Sequence, residues 1–231
     1  MGRKEAAREE RGVVVLAPQA LPGFLAVPRQ ARGLVIFAHG SGSSRLSPRN
    51  RLVARAIREA GLATLLFDLL TAEEEWYDQQ TSMLRFDMRL LADRLLGAAA
   101  WAKGQPGIAD LPIGFFGASS GGGAALVAAA ERPEAVRAVV SRGGRPDLAG
   151  DALRQVRTPT LLIVGERDTA VLRYNQEALA LLTGPKRLEV VGGASHLFEE
   201  PGAIEGVAKL ARDWFARYLG ARRAGIAPPP S

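Results

Sequence analysis

Two hydrophobic rhythms alternate along the chain from Gly33 to its last helix. Gly33–Ala38, Ala63–Phe67, Pro112–Ala118, Val136–Ser141 and Pro159–Val164 are short, nearly continuous apolar runs. Runs of that length without polar alternation predict strands buried on both faces. Lys186–Val191 predicts one more strand. Between these runs apolar residues recur every three or four positions, which predicts helices over Asn50–Ala60, Met83–Lys103, the stretch from Ser120 to about Arg132, Arg173–Leu182 and 203–219. A further short helix is expected within Gly150–Val156. Upstream, Val13–Ala17 and Phe24–Val27 are apolar runs separated by Pro18 and Leu21-Pro22-Gly23, the pattern of a hairpin or meander. Thr71–Ser82 is acidic and shows no apolar period, so it reads as a loop carrying Trp76 and Tyr77. The alternation predicts an α/β fold: a doubly wound, mostly parallel sheet with helices on both faces and the hairpin as its antiparallel edge. One domain is expected over 13–220, with a flexible arm over 1–12 and a disordered tail over 221–231.

The unusual loops all follow predicted strands, where ligands of such sheets bind. Gly117-Ala118-Ser119-Ser120-Gly121 stands between an apolar strand and a helix of small residues. That is the setting of a nucleophile elbow, a sharp turn that lifts a serine hydroxyl above the sheet edge. Ser119 is the candidate nucleophile. A serine needs a base within reach, and the chain has only two histidines, His39 and His196. His196, in the loop after the last strand, is the candidate base. His39, directly after the third strand, is expected to hold the neighbouring loop by hydrogen bonding. The base needs a carboxylate to orient it. Asp168, in the Gly165-Glu166-Arg167-Asp168 loop, is the candidate acid, and Glu166 is the alternative. Asp168 also falls between nucleophile and base in the order Ser, acid, His, which favours it for this role. Two backbone donors are needed for a developing oxyanion. The Ser120 N–H opens the elbow helix, and the Ser41 N–H lies in the His39-Gly40-Ser41-Gly42 loop. Arg45 and Arg142 follow strand ends nearby and are candidates to bind a substrate carboxylate.

Composition narrows the picture further. There is no cysteine, hence no disulfide framework and no thiolate chemistry, which suits a cytoplasmic setting. No apolar run is long enough to span a membrane, and no signal segment is apparent. The net charge of +6 is carried by arginines interleaved with acids along the whole length, not by a basic stripe with aromatics, so nucleic acid is not expected as a partner. Two histidines and no cysteine cannot build a typical metal cluster, and Gly121-Gly122-Gly123 lacks the dinucleotide-binding spacing. No cofactor is expected. Oligomeric state stays open between monomer and homodimer.

The His39-Gly40 loop, Gly117–Gly121 around Ser119, strand-terminal Asp168 and late His196 together resemble the α/β-hydrolase superfamily, and within it the dienelactone-hydrolase-like branch. The resemblance runs from about residue 13 to 219. It is similar also to the hydrolase part of bacterial proteins that join such a domain to a phosphoribosyltransferase domain; no counterpart of that second domain is expected in these 231 residues. The resemblance implies an eight-stranded sheet and ester hydrolysis, with lactones as possible substrates, through an acyl-enzyme. Only 18 residues, Arg142–Pro159, separate the strand after the elbow helix from the acid-bearing strand. That leaves no room for the cap domain found in many hydrolases of the type this chain resembles, which implies an open site for small or short-chain esters. Dienelactone hydrolases proper use a cysteine nucleophile, where this chain has Ser119. The departure points toward general serine-esterase chemistry.

Overall fold

The computed structural model describes residues 10–220 apart from Pro18. The tail expected over 221–231 and residues 1–9 of the expected arm lie outside the described residues. Strand β1 (Arg11–Leu16) turns into β2 (Ala20–Ala26), and β3 (Leu34–Ala38) leads to helix α1 (Pro48–Glu59). Next come β4 (Ala63–Phe67), α2 (Ala72–Thr81), α3 (Met88–Lys103), β5 (Ile113–Ala118) and α4 (Ser120–Glu131). The chain closes with β6 (Ala138–Arg142), β7 (Thr160–Gly165), α5 (Thr169–Leu181), β8 (Lys186–Val191) and α6 (Ala203–Leu219). One eight-stranded sheet runs in the order β1-β2-β4-β3-β5-β6-β7-β8. β3 to β8 are parallel where they pair, and β2 is antiparallel to both β1 and β4.

The apolar runs account for this architecture. Every residue of β3 to β7 is buried, because each strand has helices above and below it. Successive side chains alternate between the faces. Ile36, Leu65 and Phe115 pack with Leu91 and Leu95 of α3 and Ala128 of α4. Val35, Phe37, Phe116 and Val140 pack with Ile57 of α1 and Val207 and Phe215 of α6. The small residues of α4 let that helix press close to the sheet beneath the elbow.

Three local expectations are corrected. Leu21-Pro22-Gly23 is not a turn: it lies inside β2, with Pro22 opposite Val14 and its carbonyl accepting from the Asp68 N–H at 3.1 Å. Proline's extended φ suits a strand that is paired through its carbonyl. The acidic stretch is helix α2, opened by a capping box in which Thr71 and Glu74 each bind the other's backbone N–H. The helix expected over Met83–Lys103 is broken. Asp87 caps α3 through the Leu90 N–H, and Leu84–Phe86 forms a separate 3-10 turn. The β6–β7 connection carries 3-10 turns over Pro146–Gln155, kinked at Gly150, and no cap domain.

Candidate active site

Ser119 sits at the junction of β5 and α4 with φ 51° and ψ −122°, a backbone region that L residues rarely adopt. Such a residue costs roughly 1–3 kcal/mol and is held there by its surroundings. Its N–H donates to the Arg142 carbonyl at 3.2 Å, and its carbonyl accepts from Gly122 at 2.9 Å and Arg145 at 3.0 Å. A Cβ on Gly117 would run into the Gly121 carbonyl, and one on Gly121 into the Ala38 carbonyl. Only glycine lets strand, turn and helix meet this closely. Ser120 opens α4, so its N–H has no partner within the helix, and the positive end of the helix dipole lies there.

The loop after β3 presses against this turn. A Cβ added to Gly40 would come within 3.0 Å of the Ser119 Cβ. The hydroxyls of Ser41 and Ser120 share a hydrogen bond of 3.0 Å that ties the loop to the first residue of α4. His39 is buried, and both ring nitrogens are occupied. The Leu69 N–H donates to Nε2 at 3.0 Å, so the proton lies on Nδ1, which donates to the Gly40 carbonyl at 3.0 Å. Burial pushes the His39 pKa below the ordinary histidine value, against weaker opposing effects of the Gly40 carbonyl and the charges of Asp68 and Glu75. A neutral ring with no free lone pair cannot serve as a base; it fastens the loop to the end of β4.

The other histidine is held differently. His196 Nδ1 donates to Asp168 Oδ2 at 2.5 Å, with the imidazole 38% and the carboxylate 14% exposed. Asp168 stands at the N-cap of α5 but makes no side-chain hydrogen bond to that helix. Its carboxylate is turned to the imidazole instead. Glu166 is engaged elsewhere, accepting the Gly193 N–H at 2.7 Å, while Glu200 accepts the Ser195 N–H at 3.0 Å. Both acids shape the loop that presents His196. Backbone bonds from Glu166 to Val191 (3.0 Å) and from Arg167 to Ala194 (2.9 Å) knit the acid loop to the base loop.

Ser119 and His196 flank one peptide. The Arg142 carbonyl holds the Ser119 N–H, and a Cβ on Gly143 would lie 3.5 Å from the His196 ring. Among the described residues no hydrogen bond joins the Ser119 hydroxyl to His196. In unliganded enzymes such bonds are often long and tighten with substrate.

Neither candidate substrate arginine stands as a free cation at the mouth. Arg45 pairs with Asp68 through its guanidinium, its own N–H also donates to that carboxylate at 2.7 Å, and it lies over the Phe24 ring. Arg142 is buried against the Phe198 ring, where desolvation, and secondarily the charge of Arg49, bring its pKa down to about 10. It lines neither of the cavities described next. A narrow cleft runs between Gly40, Ser41 and Ser120 on one side and Glu75, Asp78 and Arg85 on the other. A cavity of about 730 Å³ continues from it along Ser43, Arg45, Asp68 and Thr71. Trp76 and Tyr77 do not reach over this cleft; they stand exposed on α2, which meets it through Glu75 and Asp78. Two further cavities, of about 740 and 960 Å³, lie at the opposite, N-terminal ends of the parallel strands. Among the described residues no three His, Cys, Asp or Glu side chains are grouped as metal ligands would be.

Comparison with known proteins places this geometry. The family model described as "Dienelactone hydrolase family" matches residues 21–220. The chain belongs to the dienelactone hydrolase family. A dienelactone hydrolase from Anabaena variabilis is 59% identical in sequence, superposes with a TM-score of 0.89, and is matched over 91% of this chain and 98% of its own. Est1E from Butyrivibrio proteoclasticus shares the fold at a TM-score of 0.75 with 15% identity, over 94% of this chain and all of its own. Two proteins of Mycobacterium tuberculosis with a provisional phosphoribosyl transferase name are 58% identical over 212 residues, 92% of this chain. The chain spans about half the length of these curated relatives, 47% of each. Membership in this α/β-hydrolase family supports a hydrolase. Among the described residues no helix is long and apolar enough to cross a membrane.

Proposed function

We propose that the protein is a serine hydrolase that cleaves small or short-chain carboxylic esters through an acyl-enzyme. The observation that carries this reading is the Asp168 carboxylate, turned from its own helix cap onto His196 Nδ1 at 2.5 Å. A helix cap needs no histidine; an imidazole that must gain and lose a proton does need a buried carboxylate to fix its tautomer.

In the proposed reaction the Ser119 Oγ attacks the ester carbonyl carbon while its proton passes to His196 Nε2. Asp168 stabilises the imidazolium without taking the proton itself. The carbonyl oxygen gains negative charge, which the Ser120 N–H and a donor of the loop after β3, assigned to the Ser41 N–H, receive. Collapse of the tetrahedral intermediate expels the alcohol, which takes the proton from His196. Water then attacks the acyl-serine by the same steps in reverse, His196 removing its proton and returning it to Ser119. The carboxylic acid leaves and the serine is regenerated.

The phosphoribosyl transferase name belongs to proteins about twice as long, and the features gathered at this sheet edge suit transfer of an acyl group to water. Ser119→Ala is expected to lower kcat for an activated aryl ester such as p-nitrophenyl acetate by at least ~10⁴-fold, with an unchanged circular dichroism spectrum and melting temperature. Undiminished turnover by the pure variant would sink the assignment.

A further inference from the structure

We propose that the cavity beside the oxyanion loop is a subsite for a polyhydroxylated group, so that the substrates are esters of sugar-like polyols or lactones of polyhydroxy acids. This inference rests on the hydrolase reading and names its substrate class.

Position comes first. The cavity shares His39, Gly42, Leu70 and Glu75 with the narrow cleft, of about 10 Å³, that reaches Ser41 and Ser120, so it adjoins the proposed oxyanion loop. Its volume of about 730 Å³ falls in the range of small-molecule sites. The two further cavities of about 740 and 960 Å³ open at the far ends of the strands.

The lining then selects the ligand. Among the described residues the Ser43 hydroxyl makes no hydrogen bond, and the Glu75 carboxylate accepts only a long one, 3.4 Å, from Gln79. Arg45 directs Nη1 to Asp68, which leaves guanidinium donors over, and stacking on Phe24 stiffens it. The lining therefore carries both unspent donors and unspent acceptors. A hydroxyl both donates and accepts, so a chain or ring of hydroxyls satisfies such a lining, and Pro22 and Leu70 supply apolar contact for the carbons between them. An alkyl chain in the same place would strip water from Arg45, Asp68 and Glu75 and return no hydrogen bond. A carboxylate would meet one guanidinium against two carboxylates, the guanidinium being already paired. The arrangement thus replaces the free-cation role expected for Arg45 with a neutral, hydroxyl-reading one.

The test compares kcat/KM on matched pairs: 6-O-acetylglucose against hexyl acetate for a polyol on the alcohol side, and gluconolactone against ε-caprolactone for one on the acyl side. The wild-type protein is expected to prefer the polyhydroxylated member of at least one pair by tenfold or more, and the pair that shows it tells which side occupies the cavity. Glu75→Leu and Ser43→Leu should each reduce that preference at least tenfold. Because the readout is a ratio within one sample, partial misfolding of a variant does not mimic the effect, and Glu75→Gln should retain part of it. Preference for the alkyl member in both pairs, or a ratio that neither leucine variant moves, overturns the subsite. If p-nitrophenyl acetate is turned over and the preference is absent, the subsite alone fails. If wild-type protein turns over no ester at all, the hydrolase reading fails with it.

Discussion

The loop after β3 and the loop after β8 each carry one histidine to the same edge of the sheet, and they treat it in opposite ways. His39 is buried, donates one ring proton to Gly40 and accepts the Leu69 N–H with its other nitrogen. His196 is partly exposed, spends Nδ1 on Asp168, and among the described residues Nε2 has no hydrogen-bond partner. The difference lies in what each loop asks of its imidazole. A ring with both nitrogens occupied and its charged form penalised by burial is a fastener. A ring with one nitrogen backed by a carboxylate and the other open is equipped to accept a proton and stabilise the charge that follows. Identical side chains 157 positions apart (Asp168 and its loop standing between them in sequence) are separated in role by partners, not by residue type.

Substitution should break this symmetry most visibly in turnover. His196→Ala is expected to lower kcat on p-nitrophenyl acetate by at least ~10⁴-fold with little change in melting temperature. His39→Gln should cost only about ten- to a hundredfold, through displacement of the loop bearing Gly40 and Ser41, and should lower the melting temperature clearly. Equal losses of kcat at the two positions would contradict the comparison.

A smaller effect sharpens it through pH. The His39 pKa in the folded protein lies below the ordinary value of about 6.5 that it regains on unfolding. Below about pH 6.5 the unfolded chain therefore binds a proton that the folded chain refuses. The stability tied to neutral His39 is complete above that pH and is lost as pH falls through the folded-state value. Melting temperature should decline from pH 7 to pH 5, and His39→Gln should flatten that decline. A decline equally steep in the variant would show that the histidine stays charged or solvated in the folded state.

Much of this was legible in the chain itself. Strands buried on both faces must be continuously apolar, so β3 to β7 stand out, and Ser119 and Asp168 are found in loops at their ends; His196 follows the partly exposed edge strand β8. Helix α2 was hidden because its only buried residue is Asp78; it rests on no apolar stripe. The Thr71-x-x-Glu74 capping box was the one local signal available for it. Asp87 likewise marked the true start of α3 within what hydrophobic spacing joins into one long helix. The ion pair that engages Arg45 and the hydroxyl pair Ser41–Ser120 link residues 23 and 79 positions apart, and no local pattern encodes such contacts. For the same reason the lining of the polar cavity, drawn from β2 and the segments after β3 and β4, becomes visible only in the folded chain.

The central claim is that Ser119 is a nucleophile activated by this edge of the sheet. Its most direct test is intact-protein mass spectrometry after brief exposure to a fluorophosphonate. One adduct per chain is predicted, mapping to the peptide that contains Ser119, absent from Ser119→Ala and formed far more slowly in His196→Ala. No adduct on the folded wild-type protein, or one that persists in Ser119→Ala, would contradict the account.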